Sequence, residues 1–309
     1  MIAVADELKG RDFTRVADWS PDELVQALDL ADELKRLQAE REPHALLPGR
    51  TLGMIFQKPS TRTRVSFEVG MYQLGGVGLY LSAGDLQLGR GETVKDTARV
   101  LSRYLDAIMI RTFAQADVEE LAAHADIPVI NGLTDSSHPC QALADVMTIR
   151  ERFGRLEGVR VAYLGDGNNV CASLMVACTR LGMSFVAATP EDYEPPAAAV
   201  ALAREDGEVE LTNDPRAAAK GADVLYTDVW TSMGQEEERT RRLADLAGYG
   251  IDAELVSAAA PDAIVLHCLP AHYGEEISEE VVYGPQSAVW DEAENRLHAQ
   301  KALMALVIR

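Results

Sequence analysis

The chain has 309 residues, of which 47% are hydrophobic and 25% are charged, which suffices for one large domain or two of medium size. Its net charge of −20 argues against nucleic acid and anionic membranes as partners. Since no apolar run is long enough to span a membrane and the N-terminus resembles neither a signal nor a transit peptide, we expect a soluble, cytoplasmic protein.

Strand-like apolar runs alternate with helical patterns along almost the whole chain. The candidate strands are 51–56, 76–81, 107–113, 127–131, 159–165, 184–189, 224–230 and 263–268. The helical patterns include 20–37, 93–105, 115–124, 168–182 and 192–205. This alternation predicts an α/β fold with two doubly wound parallel-sheet domains joined by interdomain helices.

The helical stretch 140–154 is interpreted as the element that crosses from a first domain, 1–145, to a second, 146–290. The amphipathic stretch 291–309 is expected to pack back on the first domain. In parallel sheets, ligands bind beyond the carboxyl ends of the strands, so the loops that follow strands are the candidate sites.

The four cysteines show no C-x-x-C spacing, and we expect reduced thiols. Cys171 and Cys178 are interpreted as core residues of a helix. Cys140 and Cys268 lie next to polar motifs and are considered with them.

The first such loop lies in FQKPSTRTRVSFE, residues 56–68, between an apolar strand and a helix. Ser60 or Thr61 can cap this helix, whose first turn carries Arg62 although the helix dipole there favours anions. Backbone N–H groups, hydroxyls and a guanidinium at a helix N-terminus predict an anion site, and arginine can bind phosphate through two hydrogen bonds. The loop has no Walker A pattern, so a nucleoside triphosphate is not implied.

The segment PSTRTRVSFE resembles the phosphate-binding segment of the aspartate and ornithine carbamoyltransferases. The resemblance continues in DLQLGRGETVKDTARVLSRY, MIRTF, SSHPCQALAD and DEAENRLHAQKALM. It implies a first domain that binds carbamoyl phosphate through Ser60, Thr61, Arg62, Thr63, Gln87, Arg111, His138, Pro139, Cys140, Gln141, Cys268, Leu269 and Arg296. In this family the segment around Gln87 reaches a neighbouring subunit's site, which implies a homotrimer with sites near subunit interfaces.

Two of these positions are informative without the resemblance. Arg111 ends the strand-like run AIMIR, where its side chain can reach the carboxyl edge of a sheet. His138 follows another strand by a short loop and can donate or accept a proton near neutral pH. Together they favour a functional site over a structural histidine.

The second half opens with VRVAYLGDGNNVCASL, a predicted strand, turn and helix. Gly165 and Gly167 suggest a dinucleotide fingerprint, but Val170 replaces its third glycine, which weakens that interpretation. Asn168 and Asn169 instead offer amide groups to the carboxylate and amine of an amino acid. The family resemblance assigns the contact with ornithine to Asn169.

Two further loops resemble the ornithine branch of the family. VLYTDVWTSMGQEEE is similar to its mobile substrate loop, which implies that Asp228, Ser232 and Met233 bind ornithine. IVLHCLPAHYG has the HCLP form, whose Cys268 is expected to contact substrate.

The resemblance implies transfer of the carbamoyl group of carbamoyl phosphate to the δ-amine of L-ornithine, giving L-citrulline and phosphate in arginine biosynthesis. The expected catalytic residues are Arg111, His138, Asp228 and Cys268, with no cofactor and no metal. Three alternatives remain open at this point. These are a sister transferase that uses putrescine, acetylornithine or aspartate, a nicotinamide-dependent dehydrogenase, and a non-catalytic binder of a phosphorylated metabolite.

Overall fold

A computed structural model describes residues 6–84, 86–87, 91–232, 234 and 236–309 of the chain. The chain divides into two compact units, of which the first combines Met1–Met147 with Asn295–Arg309 and the second is Thr148–Glu294. Among the described residues, no helix is long and apolar enough to cross a bilayer.

The first unit contains a parallel sheet whose strands alternate with helices. In chain order its elements are α1 (Pro21–Ala39), β1 (Thr51–Phe56), α2 (Thr61–Gln73), β2 (Val77–Ser82), α3 (Val94–Leu101), β3 (Ala107–Arg111), α4 (Gln115–His124), β4 (Val129–Leu133) and the start of α5 (Pro139–Phe153). Among the described residues the strand order is β2-β1-β3-β4. The strands β1 and β3 are almost entirely buried, which is typical of parallel sheets covered on both faces.

The second unit repeats this architecture with a second parallel sheet. Its elements are β5 (Arg160–Leu164), α6 (Asn169–Arg180), β6 (Ser184–Ala188), α7 (Ala197–Asp206), β7 (Val209–Thr212), α8 (Pro215–Ala219), β8 (Val224–Thr227), α9 (Arg239–Asp245), α10 (Ala253–Ala258), β9 (Ile264–His267), α11 (Glu279–Val282) and the start of α12 (Val289–Val307). The strand order in the described residues is β7-β6-β5-β8-β9. Its core includes Tyr163 stacked on Tyr226 at 5.7 Å between ring centroids. The predicted fold class, two parallel sheets flanked by helices, is confirmed.

Register places several chain segments at the same sheet edge. Phe56 of β1 lies opposite Arg111 of β3, so both strands end together. In the second sheet, Thr227 of β8 lies opposite Leu164 of β5 and His267 of β9. The residues that follow these strand ends therefore emerge side by side, as the parallel topology requires.

The C-terminal end of α12 is held by the N-terminal segment within the first unit. The Lys9 amino group donates to the carbonyls of Ala305 and Ile308, each at 2.7 Å. The backbone N–H of Gly10 donates to the carbonyl of Val307 at 2.7 Å. Carbonyls at a helix end lack partners within the helix, so these contacts satisfy groups that would otherwise need water.

The strand β7 was not among the predicted strands. Its sequence, VELT, carries Glu210 in the middle, and its residues are half-buried or exposed at the edge of the sheet. An edge strand with a charged residue lacks the apolar signal on which the prediction of a buried strand depends. The predicted strands 107–113 and 224–230 end earlier, at Arg111 and Thr227, where the chain turns into the polar loops.

Candidate active site

The first turn of α2 is organised by its serine cap. Ser60 has an extended backbone, and its Oγ accepts a hydrogen bond from the N–H of Thr63 at 3.2 Å. Its hydroxyl also lies 3.2 Å from Oγ1 of Thr63. Of the two candidate caps, Ser60 is therefore the one used, while Thr61 is the exposed first residue of the helix. The N–H groups of a helix's first turn have no acceptor within the helix, which is the general basis of anion binding at such ends.

Arg296 of α12 joins α2 and α5 at this point. Its Nη2 donates to Oγ1 of Thr63 at 3.2 Å, and its Nη1 donates to Oε1 of Gln141 at 2.6 Å. Gln141 in turn donates from Nε2 to Asp145 at 2.7 Å. Arg296 is 4% exposed, so its charge is held in the interior of the first unit. Residues far apart in sequence thus form one polar cluster.

His138 lies in a field of positive charge. The pKa of its imidazole is well below the ordinary value because of burial, and because the guanidinium groups of Arg296, Arg111 and Arg62 add to that effect. The imidazole is therefore neutral at physiological pH and can donate one hydrogen bond without carrying charge. On a chain of net charge −20, the charges of these three arginines make the local electrostatic potential at His138 positive, which favours an anion.

Other predicted residues border this cluster. Arg111 is the buried last residue of β3, at the carboxyl edge of the sheet as predicted. Pro139 begins α5, and the next residue, Cys140, donates its thiol to the carbonyl of Asn131 at 3.3 Å. Burial raises the pKa of the Cys140 thiol to about 12, so it is not a nucleophile near neutral pH.

Gln87 stands apart from the buried predicted residues. It lies on the exposed stretch that follows β2, and its carbonyl accepts a hydrogen bond from the N–H of Glu92 at 3.1 Å. Its predicted role involves a neighbouring subunit, so exposure in the single chain agrees with that expectation without testing it.

In the second unit, the polar centre is the carboxylate of Asp228, directly after β8. Its Oδ1 accepts from the thiol of Cys268 at 3.0 Å, and its Oδ2 accepts from Nδ2 of Asn168 at 2.7 Å. Cys268 directly follows β9, the neighbour of β8, which explains why the two side chains meet. Asp228 is 6% exposed, and the two donors that hold it are neutral, so these contacts do not cancel its negative charge.

Asn168 has a structural task in addition to its contact with Asp228. Its Oδ1 caps α6 by accepting from the N–H groups of Val170 and Cys171, at 2.9 and 3.1 Å. Both ends of its side-chain amide are thus engaged by protein groups, and Asn169 remains the member of the pair assigned to substrate. Cys171 and Cys178 are buried in α6, and no described cysteine forms a disulfide, as predicted.

The glycine turn before α6 does not have the geometry of a dinucleotide site. Gly167 donates its N–H to the carbonyl of Tyr193 at 2.8 Å. A Cβ at Gly167 would lie 2.3 Å from the backbone nitrogen of Pro195, so glycine is needed for the approach of this neighbouring loop. Because that loop and the Asn168 side chain occupy the N–H groups that a pyrophosphate requires, the turn opposes the dehydrogenase alternative.

A buried ion pair between Asp166 and Arg242 was not predicted from the sequence. Arg242 also donates from Nε to the carbonyl of Trp230 at 2.5 Å, and its guanidinium lies 5.0 Å from the ring centroid of Tyr193. Burial raises the pKa of Asp166 to about 6, an effect that Arg242 opposes. Asp166, the acidic residue of GDGNN, could have been recognised from the sequence as a polar residue at a strand end. Arg242 could not, because it lies in ERTRRL, a charged segment typical of a solvated helix.

The remaining predicted ligands of the second unit lie on the loops of the same sheet edge. Asn169 is the first residue of α6, and Ser232 is half-buried on the segment that follows β8. Leu269 is half-buried directly after Cys268. Met233 lies outside the described residues.

Two groups in the described part of the chain have the composition of metal ligands. The potential ligand atoms of Asp228, His267 and Cys268 lie within 4.8 Å of one another, as do those of His272, Glu275 and Glu276. However, Nδ1 of His267 accepts from the N–H of Leu269 at 2.8 Å, and its Nε2 lies 3.2 Å from Glu276. The ring nitrogens of His267 are therefore already used by protein groups.

Comparison with known proteins accounts for almost the whole chain. A family model for the carbamoyl-P binding domain of aspartate/ornithine carbamoyltransferase matches residues 11–151, and a model for the Asp/Orn binding domain matches residues 157–307. An ornithine carbamoyltransferase of Symbiobacterium thermophilum is 59% identical over 309 residues, covering 97% of this chain and 99% of the relative. An anabolic ornithine carbamoyltransferase of Pyrococcus furiosus is 56% identical over 306 residues, covering 97% of each.

A solved structure gives the same result. The ornithine carbamoyltransferase from Pyrococcus furiosus superposes with a TM-score of 0.95 at 55% sequence identity and covers 99% of both chains. The chain forms two sheets with polar clusters at their carboxyl edges, and the two domain models together match almost its whole length. The chain therefore belongs to the aspartate/ornithine carbamoyltransferase family.

Proposed function

We propose that this protein transfers the carbamoyl group of carbamoyl phosphate to the δ-amine of L-ornithine, producing L-citrulline and phosphate for arginine biosynthesis. The observation that carries this proposal is the buried polar cluster of the first unit, in which Arg296 donates to Thr63 and Gln141 and the charges of Arg62 and Arg111 also act on His138. Such a cluster fits a small doubly charged acyl phosphate. The relatives are named ornithine carbamoyltransferases, which supports ornithine as the acceptor, and one of them is named anabolic, which supports a biosynthetic direction.

We assign carbamoyl phosphate to the first unit. The phosphate group binds the N–H groups and hydroxyls of the first turn of α2 together with Arg62 and Arg296. The backbone of residues 139–141, at the start of α5, adds a second helix N-terminus. Cys140 contributes through its backbone, because its thiol already donates to the carbonyl of Asn131. Leu269 and Gln87 complete the assigned contacts.

The carbonyl oxygen of carbamoyl phosphate accepts hydrogen bonds from Thr63, Arg111 and His138. Negative charge grows on this oxygen as the amine attacks the carbonyl carbon. Donors fixed in advance toward that charge stabilise the transition state, each by about 3 kcal/mol. The low pKa of His138 keeps the ring neutral, so the imidazole serves as a donor and not as an acid.

We assign ornithine to the second unit, with Asn169, Ser232 and Met233 binding the amino acid and Asp228 and Cys268 facing the δ-amine. The free amine has an ordinary pKa of about 10.4 and must lose a proton before it can attack. Desolvation lowers an amine's pKa, whereas Asp228 favours the ammonium form, so exclusion of water is the larger effect. As the N–C bond forms, the C–O bond to phosphate breaks, and the amine proton passes by way of Asp228 or Cys268 to the phosphate product.

We further propose a cytoplasmic homotrimer. Apolar side chains are exposed on α2 and on the edge strand β2, including Val65, Tyr72, Val77 and Leu79. Exposed apolar surface on adjacent elements is typical of protein–protein contacts. All four cysteines lie among the described residues and none forms a disulfide, which agrees with a reducing compartment.

The direct test is citrulline formation by the purified protein from carbamoyl phosphate and L-ornithine. Putrescine, N-acetylornithine and L-aspartate are supplied in parallel reactions. We expect turnover with ornithine to exceed the others by at least about 100-fold, because the α-amino acid group assigned to Asn169, Ser232 and Met233 is absent from putrescine and blocked in N-acetylornithine. The carboxylate of Asp228 repels the side-chain carboxylate of aspartate. Equal or higher turnover with another amine would identify a sister transferase instead.

A second test concerns the division of ligands between the two units. Asp228→Asn should raise the KM for ornithine by about 100-fold and change the affinity for carbamoyl phosphate by less than about threefold. The matched control is Asp223→Asn. Asp223 precedes β8 and accepts from the N–H of Arg160 at 2.8 Å, at the opposite end of the strand. Equal losses for both ligands in Asp228→Asn would contradict the assignment.

A further inference from the structure

The side chain of Arg296 must be held in one orientation by its neighbours to point into the polar cluster at the first turn of α2. An arginine side chain loses about 2 kcal/mol of conformational free energy when it is fixed in one orientation. Two of its contacts, with Thr63 and Gln141, hold the Nη atoms. The edge formed by Nε and Nη2 is also occupied, and its partner was not predicted from the sequence.

That partner is Gln300, one turn further along α12. The hydrogen-bond network assigns its amide oxygen to the Arg296 side, where it accepts from Nε and Nη2, both at 3.2 Å. The spacing of four residues places the two side chains on the same face of the helix. Gln300 is completely buried, so water cannot replace these contacts.

The other end of the Gln300 amide connects α12 to the phosphate-binding turn. Its nitrogen donates to Oγ of Ser66 at 2.5 Å. The Ser66 hydroxyl donates to the carbonyl of Arg62 at 2.7 Å. A continuous chain of hydrogen bonds therefore runs from the guanidinium of Arg296 to the backbone of Arg62.

The choice of an amide at this position has an electrostatic consequence. A glutamate could accept the same hydrogen bonds, but its charge would cancel that of Arg296 in a buried environment. The other side-chain acceptors of this guanidinium, Gln141 and Thr63, are also neutral. The guanidinium is thus oriented by neutral polar groups, and its positive charge is not neutralised before an anion binds.

We propose that Gln300 is a positioning residue that fixes the Arg296 guanidinium, and through Ser66 the first turn of α2, for carbamoyl phosphate without neutralising the charge. This inference deepens the proposed function and rests on it for the identity of the ligand.

The test compares Gln300→Met, which keeps the volume but removes all three hydrogen bonds of the amide, with Gln300→Glu, which keeps an acceptor oxygen for Arg296 but adds a charge. Calorimetric titration with carbamoyl phosphate should show about tenfold weaker binding for Gln300→Met. For Gln300→Glu the loss should be at least as large. The KM for ornithine should change by less than about twofold in both variants. Leu303→Met, at another buried position of α12, is the control and should bind normally.

A double-mutant cycle separates positioning from general packing. In an Arg296→Met background, Gln300→Met should cause a clearly smaller further loss of affinity for carbamoyl phosphate than it causes alone, because the part of its effect that acts through Arg296 is already lost and only the contact with Ser66 remains. Independent, additive losses would overturn the proposal, as would normal binding by folded Gln300→Met or Gln300→Glu. A wild-type protein that binds carbamoyl phosphate but forms no citrulline would refute the proposed function and leave this titration valid.

Discussion

At the scale of single residues, two arginines on the same helical turn have different surroundings. Arg62 contributes to the positive field at the buried His138. Arg64 is exposed, lies 3.4 Å from the carboxylate of Glu68 and stacks 4.1 Å from the ring centroid of Tyr80. The motif STRTR contains both, and only their contacts tell them apart.

Replacing each arginine tests this difference. Arg62→Ala should lower kcat/KM for carbamoyl phosphate by at least about 100-fold, because it removes a charged donor from the phosphate site. Arg64→Ala, the matched control, should stay within about fivefold of the wild type. Steady-state citrulline assays at varied carbamoyl phosphate measure both values. Near-normal activity of Arg62→Ala would show that the phosphate binds elsewhere.

A buried lysine outside the site makes stability depend on pH. Lys301 is completely buried and contacts Nε2 of His44 at 2.8 Å and Oε1 of Gln73 at 2.9 Å. Burial lowers its pKa from 10.5 to about 8. The nearby His298 has a pKa lowered to about 3 by burial and by neighbouring cations, so it remains neutral in this range.

Between pH 8 and 10.5 the unfolded chain keeps the Lys301 proton, whereas the folded chain has lost it. The free energy of unfolding therefore rises with pH in this interval, by about 3 kcal/mol over its full width. We expect the wild type to gain stability relative to Lys301→Met as the pH rises from 7.5 to 9.5. Urea unfolding of both proteins across that range measures the difference. A constant difference would mean that Lys301 titrates normally.

At the scale of elements, helix termini were the features most readily predicted. Ser60, one of the two caps predicted for α2, is the cap that the structure shows, and Ser20 caps α1 in a capping box with Glu23 at the start of the predicted helix 20–37. The short helices α8 to α11 were not predicted, since helices of four to seven residues carry too little periodic signal. The edge strand β7 was missed because its half-buried or exposed residues lack an apolar signal.

The two serine caps provide a matched pair of variants. Ser20→Ala and Ser60→Ala should each destabilise the protein by about 1 kcal/mol, because each leaves an N–H of the first turn without its cap. Only Ser60→Ala should also weaken carbamoyl phosphate binding, since its hydroxyl lies beside Thr63 at the site. Thermal unfolding and ligand titration measure the two effects separately. Normal binding by Ser60→Ala would remove this hydroxyl from the site.

At the scale of the whole molecule, the single chain leaves an expected ligand residue in solvent. Gln87 is exposed, and apolar side chains are exposed on β2 and α2. The proposed homotrimer accounts for both features, because a cyclic assembly carries the same segment of each subunit to its neighbour.

Hybrid trimers test this arrangement. Arg62→Ala and Gln87→Ala subunits are each expected to form inactive homotrimers. A mixed trimer has one site with native Arg62 from one subunit and native Gln87 from the next, so its activity should be about one third of the wild type. Mixing Arg62→Ala with Arg111→Ala subunits is the control and should restore nothing, because both residues serve the same subunit's site. Failure of the first mixture, with trimers confirmed by sedimentation, would contradict the shared site.

The sequence by itself determined the α/β class, the helix caps and the loops that carry the chemistry, since these depend on local periodicity, turn residues and strand ends. Asp228 and Cys268 were predicted from the family resemblance and from their positions after strand-like runs, and the structure shows that these strands pair and that the two side chains meet. Only the tertiary structure showed which groups the side chains of Arg242 and Gln300 contact. A buried arginine and a solvated one have the same local pattern, and the difference between them lies in partners that are distant in the chain.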